Sequence, residues 1–446
     1  MGLSGRDAQA HICQFTMRRY LFQPLLLRII RVGAVLFAAA FLGVGAFFAL
    51  GEPRGFEGNV RNALSGSQDL LLRHNEVRML LMGENIYQTE PLKDLSLRTA
   101  SLLGPGQLVG ADYFPSTLLP VLLMARLPFD AVKTLWLIIS MGSLVLLVFT
   151  LRWMMAAGGP SNADQMLMTC LWICGIPFWS CLAMGQASIF SVAFTLAAFR
   201  ADCARRPLLA GVLLAFGVFK YALIWPLVLF FFIMHWRWCC LLVGGGIHLG
   251  VHLVLCRIIN ANPITIFADV LSGNTKVFNY NSLPTVWMPF RSWNEMFPSL
   301  AVPANLCGAM LLLLVVGGLL WLWLRRKRTD QHNLTRWTAV LLLLSLLTVS
   351  SRIFSHMYGL PVLWIACSPA QPSLSWFQRF RLIVLVLYLC YVPSGVDDLG
   401  LSEQVLQALR IGFNLVFAAL AVDLGRLLLA GERSAAQPSK VAALRS

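Results

Sequence analysis

The chain has 446 residues, of which 58% are hydrophobic and only 12% are charged, and its mean hydropathy is +0.71. A soluble domain carries about 25% charged residues, so this composition excludes an ordinary water-soluble protein. The apolar runs do not alternate as the strands of a membrane β-barrel do. Several reach the roughly 20 residues of a spanning helix, which predicts an all-α, polytopic transmembrane helical bundle of about 10–13 membrane helices.

The net charge of +15 comes from basic residues that cluster beside the apolar runs. Such clusters are typical of the cytoplasmic ends of spanning helices, where they also meet anionic lipid headgroups. No basic helix or aromatic platform stands apart from the apolar runs, as a nucleic-acid-binding surface would require. The charge therefore predicts membrane lipids as partners and no nucleic acid.

The first apolar stretch, residues 30–50, follows several arginines and predicts a first span with a cytoplasmic N-terminus. The polar segment 51–112 comes next, and we expect it to form the first outer loop. Within it, the segment from Asp69 to Met82 has helical spacing, which predicts a helix along the membrane interface. Its apolar stripe is expected to consist of Leu70, Val77, Leu80 and Leu81, with Arg73, Glu76 and Arg78 facing elsewhere. Residues 113–127 are apolar but short and contain two prolines, which predicts a re-entrant or interfacial helix.

The long apolar stretch 207–234 has Lys220 at its centre. Two short helices with Lys220 near their turn would keep the charge out of lipid. Further spans are predicted at 131–151, 165–184, 187–199, 239–257, 301–324, 337–350, 357–368, 381–394 and 405–430. Residues 1–430 are therefore expected to form a single transmembrane domain, and the basic tail 431–446 a disordered cytoplasmic end.

Polar and ionisable groups in membrane segments are costly and usually functional. Asp69, at the start of the interfacial helix, is either a general base or a first-turn residue favoured by the helix dipole. Lys220 either holds a phosphate or snorkels to the interface. Gln186 either binds substrate or makes a helix-packing hydrogen bond.

The segment 350–358 places Arg352 and His356 in a polar notch between two apolar runs, which is either part of a site or an ordinary loop. Tyr113 and Asn281 lie on the same predicted outer face and complete the candidate binding residues. No cluster of His, Cys, Asp or Glu has the spacing of metal ligands, so we expect neither a metal nor a cofactor.

Residues 184–238 resemble glycosyltransferase family 87, membrane enzymes of the GT-C superfold. In both, a Gly-Gln pair opens a helix, a basic turn follows, and a small-residue helix leads to a lysine, an aromatic residue and a proline. The matching residues here are Gly185, Gln186, Arg205, Arg206, Pro207, Gly211, Lys220, Tyr221, Pro226 and Arg237. Four shorter segments resemble family motifs and occur in the same order along the chain: Asp69, 113–115, 281–283 and 350–356. Ser188 departs from the family pattern, which has Asn there.

The resemblance implies an inverting transferase that moves a sugar, often mannose, from a polyprenyl-phosphate donor to a hydroxyl of a glycan or glycolipid acceptor. It implies Asp69 as the general base, and Lys220 with Arg352 or His356 as the groups that stabilise the leaving phosphate. The enzyme would lie in the cell inner (plasma) membrane with its active site on the extracytoplasmic face. Two alternatives stay open: a lipid-linked-sugar flippase or transporter, and a structural or assembly subunit.

Cysteine labelling of intact cells tests the predicted topology, in which both termini are cytoplasmic and 51–112 is outside. In a cysteine-free background, Glu57→Cys should react with an impermeant reagent and Lys327→Cys should react only after the membrane is opened. Labelling of Lys327→Cys from outside would contradict the topology.

Overall fold

The computed structural model describes residues 5–51, 66–87, 113–154, 162–228 and 237–277, with a few isolated positions elsewhere. Its helices are α1 (Gly5–Leu50), α2 (Gln68–Leu81), α3 (Leu119–Leu122), α4 (Phe129–Met154), α5 (Asn162–Ile173), α6 (Ile176–Ala183), α7 (Ser188–Cys203), α8 (Pro207–Gly217), α9 (Tyr221–Val228), α10 (Trp238–Ile258) and α11 (Pro263–Val277). Short 3₁₀ turns cover Pro115–Leu118, Val218–Lys220 and Pro298–Leu300. This part of the chain has no β-strand, which confirms the all-α prediction. The spans predicted from 301 onward and the tail 431–446 lie outside the described residues.

Three of these helices are long and apolar enough to cross a membrane: the Arg28–Leu50 part of α1, α4 and α10. They agree with the spans predicted at 30–50, 131–151 and 239–257. Large apolar side chains such as Leu36, Val145 and Leu242 stay exposed on them, as expected of residues that face lipid. The chain is therefore a helical membrane protein.

The span predicted at 165–184 is divided into α5 and α6, which meet at Cys174 and Gly175. Pro177 stands in the first turn of α6, where its missing N–H leaves no hydrogen bond unmade. Both halves pack along α1, so the two short helices together occupy the place of one span. The broken helix ends at Ala183, beside the residues that form the site described below.

Lys220 lies at the tip of a helical hairpin. Helix α8 begins shortly after Asp202, at the end of α7, yet the Lys220 N–H donates to Ser191 Oγ near the start of α7 at 3.0 Å. The chain then returns, because Arg237 Nε lies 3.1 Å from Asp202 Oδ2. Two short helices with Lys220 at their turn are thus present as the sequence predicts. We call the two ends of the bundle the Lys220 end and the Asp202 end.

Small residues hold this hairpin against α10. A Cβ added to Gly211 in α8 would lie 2.5 Å from the Val243 Cβ, and one added to Gly244 would lie 3.1 Å from the Gly211 carbonyl oxygen. Small residues let membrane helices approach closely enough for their backbones to pack. The position of Lys220 is therefore fixed by backbone packing on both α7 and α10.

Helix α2 packs on the Lys220 end through Leu70, Val77 and Leu80, which are buried as the predicted stripe requires. Leu81, placed in the same stripe, is exposed, so the prediction is wrong at that position. The expectation that Arg73 and Glu76 face away is also wrong, because their side chains are only 11% and 4% exposed. They are buried as an ion pair, which is the form in which charges tolerate burial.

The C-terminal end of α1 is capped by a lysine from another helix. Lys133, in α4, is buried, and its Nζ donates to the carbonyl oxygens of Leu50 at 3.3 Å and Gly51 at 3.1 Å. The last carbonyls of a helix have no partner within it and carry partial negative charge, so a cation stabilises them. Ser67 Oγ donates to the Ala49 carbonyl at 2.9 Å and ties the start of α2 to the same helix end.

Lys133→Met should destabilise the protein by about 1.5–3 kcal/mol, because hydrogen bonds to a charged donor are lost from a buried position. The measurement is the thermal unfolding temperature in detergent. Asp130→Asn is the matched control: Asp130 lies 2.9 Å from the Lys133 Nζ but its side chain is 90% exposed. Its loss should change stability by less than about 1 kcal/mol. Equal effects of the two substitutions would contradict the capping role.

Candidate active site

Backbone hydrogen bonds join the start of α2 to the turn between α6 and α7. The N–H of Ser67 donates to the Ala183 carbonyl at 3.0 Å, and that of Asp69 to the Met184 carbonyl at 3.1 Å. Gly185 follows with φ +67, and a Cβ there would lie 2.7 Å from the Leu70 Cβ. Glycine alone fits this conformation and this space without strain. Asp69 is thereby fixed beside the Gly185 turn.

Lys220 reaches the same turn from the hairpin. Its Nζ donates to Gln186 Oε1 at 2.8 Å and to Ser188 Oγ at 2.8 Å, and the lysine is partly exposed. The ammonium is thus held by two neutral acceptors at the start of α7. Gln186 thus makes the helix-packing hydrogen bond that the sequence allowed, and its partner is the Lys220 ammonium. Neither of these two acceptors carries a charge.

The Asp69 carboxylate is half-buried. Among the described residues, no side chain forms a hydrogen bond or ion pair with it. The Asp69 and Lys220 charges both act on the thiol of Cys181, whose Sγ donates to the Gln186 carbonyl at 3.3 Å. The carboxylate and the ammonium therefore lie within electrostatic range of one point under the Gly185 turn.

Tyr113 connects the hairpin tip back to α2. Its ring centroid lies 5.9 Å from that of Phe219 and 6.4 Å from that of Tyr221, the two residues that flank Lys220. The Arg73 guanidinium lies over the Tyr113 ring, 4.3 Å from its centroid. Arg73 follows Asp69 by one helical turn. The contacts therefore lead from Asp69 through the Gly185 turn, Lys220 and Tyr113 back to α2. We call the group within it the Lys220 site: Asp69, Tyr113, Gln186, Ser188 and Lys220, with Arg73 at its edge.

Tyr87 fixes the backbone of Tyr113. Its phenolic O–H donates to the Tyr113 carbonyl at 2.9 Å, and its own N–H donates to Asn85 Oδ1 at 3.1 Å. Burial raises the pKa of the Tyr87 phenol well above its usual value, and the charge of Glu76 adds to the effect. Tyr87 is therefore a neutral donor at physiological pH and anchors the residue against which Arg73 packs.

The structure brings together four of the residues predicted from sequence: Asp69, Tyr113, Gln186 and Lys220. The other three, Asn281, Arg352 and His356, lie outside the described residues. Ser188, a member of the site, and Arg73, at its edge, were not among the predicted site residues. Arg73 carried a signal, because a spacing of four residues from Asp69 places both on one helix face. Ser188 was noted only as a departure from a family pattern.

The model of glycosyltransferase family 87 matches residues 113–351, more than half of the chain. The chain belongs to glycosyltransferase family 87. It is a membrane glycosyltransferase, and its substrates are a sugar donor and an acceptor. No curated protein and no solved structure matches the chain. The matched range includes Tyr113, Gln186 and Lys220 but begins after Asp69. Asp69 is therefore assigned to the site by its position beside the Gly185 turn and not by the family match.

Family membership decides between the interpretations that the sequence left open. A flippase, a transporter or an assembly subunit without transferase activity would not account for a match to a transferase family over the hairpin and the Gly185 turn. The Lys220 site is therefore the candidate active site among the described residues.

Gly185→Ala should push α2 away from the turn and lower both stability and transferase activity. The added Cβ clashes with Leu70 and Ser67. Overpacking of this kind costs about 1–3 kcal/mol, and a non-glycine residue at positive φ adds strain. Thermal unfolding and sugar transfer measure the two effects. Gly246→Ala is the control, because its Cβ would have no atom within 4 Å. A Gly185→Ala enzyme as stable and active as this control would contradict the close approach.

Proposed function

We propose that this family 87 enzyme transfers a sugar, with mannose as the first candidate, from a polyprenyl-phosphate donor to a hydroxyl of a glycan or glycolipid, with inversion at the anomeric carbon. Lys220 binds the donor phosphate and Asp69 is the general base. One observation carries the proposal: the Lys220 ammonium, oriented by Gln186 and Ser188, lies on one side of the Gly185 turn, and the Asp69 carboxylate lies on the other. Asp69 has no side-chain partner among the described residues.

The surroundings of Lys220 favour an anionic group. The amide of Gln186 and the hydroxyl of Ser188 orient its ammonium without neutralising it. A donor phosphate gains negative charge as the bond to the sugar breaks, and a fixed cation at a partly water-excluded site stabilises that charge. A polyprenyl chain attached to this phosphate would extend into lipid beside the exposed apolar helices. This explains why the enzyme is built as a membrane protein.

Asp69 has the properties of a base. Its backbone is fixed by the Met184 carbonyl, while its carboxylate is half-buried and has no ion pair among the described residues. In the proposed reaction the acceptor oxygen attacks the anomeric carbon, and the bond from that carbon to the phosphate oxygen breaks. The electron pair leaves with the polyprenyl phosphate and the hydroxyl proton passes to Asp69. A base placed in this way contributes roughly 10²–10⁴-fold.

The location follows from the predicted topology. Basic clusters are expected in the cytoplasm, and Arg205, Arg206 and Arg237 lie near Asp202, at the end of the bundle away from Lys220. We therefore propose that the Lys220 end faces the outside of the cell inner membrane. Residues 1–430 would form one GT-C-type domain, in which Asn281, Arg352 and His356 complete the substrate site.

Transfer of radiolabelled mannose from polyprenyl-phosphate-mannose to a glycolipid extract, catalysed by the purified enzyme, tests the two roles. Asp69→Asn should lower transfer by roughly 10²–10⁴-fold and leave donor binding unchanged, because only basicity is lost. Lys220→Met should weaken donor binding, because the phosphate loses its cation. Arg206→Met, which removes a cation from the other end of the same hairpin, is the control and should bind donor normally.

Normal transfer by Asp69→Asn would reject the base. Unchanged donor affinity in a folded Lys220→Met enzyme would reject the phosphate site. If mannose is not transferred by the unaltered enzyme but another polyprenyl-phosphate sugar is, the sugar is corrected and the two residue roles are tested with that donor.

A further inference from the structure

Arg73 is within reach of two carboxylates on its own helix. Asp69 precedes it by four residues and Glu76 follows it by three, so both lie on the same face of α2. The structure shows which of them it binds: the Arg73 Nη1 lies 2.7 Å from Glu76 Oε1 and 2.6 Å from Oε2. An acidic residue four positions before a basic one is the favourable arrangement for an ion pair on a helix. Asp69 and Arg73 have this arrangement, yet they form no ion pair.

We propose that Glu76 is a positioning residue that holds the Arg73 guanidinium away from the Asp69 carboxylate, so that Asp69 can accept the proton of the acceptor hydroxyl. The proposal rests on the proposed function, in which Asp69 is the base. It assigns a role to a carboxylate that has no direct contact with the reacting atoms.

Two features make Glu76 the stronger partner. Its side chain is only 4% exposed, and a buried charge pair is screened less than one at the surface. On the other side, the Tyr113 ring packs against the guanidinium at 4.3 Å from its centroid. Arg73 is therefore held between Glu76 and Tyr113, and turning toward Asp69 would break both contacts.

Removing the Glu76 charge should release Arg73 to Asp69. An adjacent cation stabilises the ionised carboxylate and makes it a poorer proton acceptor. Among the described residues, the other titratable or charged groups near these three are His74 and Arg78 of α2, Tyr87 after it, Tyr113, Lys220 and Tyr221 of the hairpin, Cys181 of α6 and Cys256 of α10. Loss of the Glu76 charge acts directly on Tyr87 and on Asp69 as well, so a double variant that also lacks Arg73 is needed to assign a shift of the pH profile to Arg73.

The test compares single and double variants in transfer from polyprenyl-phosphate-mannose. Glu76→Gln should lower kcat/KM by at least about tenfold, and by less than the roughly 10²–10⁴-fold lost with the base itself. The acidic limb of its pH profile should move to lower pH. The double variant Arg73→Gln with Glu76→Gln removes the competing cation. It should recover most of the lost kcat/KM, and the acidic limb of its pH profile should return to the position seen in the unaltered enzyme. Arg78→Gln, an exposed charge on the same helix, should match the unaltered enzyme.

A double variant as impaired as Glu76→Gln would overturn the proposal, because Arg73 would then not be the cause of the loss. If Glu76→Gln fails to fold, Glu76→Asp keeps the charge on a shorter side chain and should move the acidic limb in the same direction by a smaller amount. No movement in a folded Glu76→Asp enzyme would also overturn it. Normal transfer by Asp69→Asn, in contrast, would show that the proposed function had failed first.

Discussion

The Gly185 turn is the point to which the other parts of the site are attached. Its positive φ and the 2.7 Å separation between a Cβ built there and Leu70 exclude any side chain, and this lets α2 lie directly against the turn. The backbone of Asp69 is fixed on one side of the turn by Met184. On the other side, the side chain of Gln186 binds Lys220. One close backbone contact thus sets the relation between a carboxylate from one part of the chain and an ammonium from another.

Two other basic side chains at the Lys220 end of the bundle are bound by specific partners. Lys133 binds the carbonyls that end α1, and Arg73 binds Glu76, both in buried positions where an unpaired charge would be costly. Lys220 is oriented by Gln186 and Ser188, and Asp69 has no ion pair among the described residues. In the proposed mechanism these two residues act on the substrate, Lys133 stabilises the fold, and the Arg73–Glu76 pair keeps the guanidinium away from Asp69.

The periodicity and length of the apolar runs predicted the all-α fold, the three long spans and the hairpin, because burial in lipid imposes strong rules on composition. Two polar residues in unusual places also marked the candidate site: Lys220 in an apolar stretch and Asp69 after a span, which the structure places beside the same turn. The burial of charged side chains could not be predicted. Arg73 and Glu76 were expected to face away from the packed surface, yet they are buried as a pair, because the hydrophobic pattern of one helix does not reveal which charged residues a neighbouring segment covers. Helix breaks such as Cys174–Gly175 depend on tertiary packing in the same way.

In the proposed mechanism, the donor phosphate and the general base meet at the Gly185 turn. The most direct measurement is an experimental structure of the enzyme with a non-hydrolysable polyprenyl-phosphonate sugar. The account predicts the phosphonate within hydrogen-bonding distance of the Lys220 Nζ, with the anomeric carbon on the side of the Asp69 carboxylate. A phosphonate bound at the Asp202 end, or a sugar ring separated from Asp69 by α2, would contradict it.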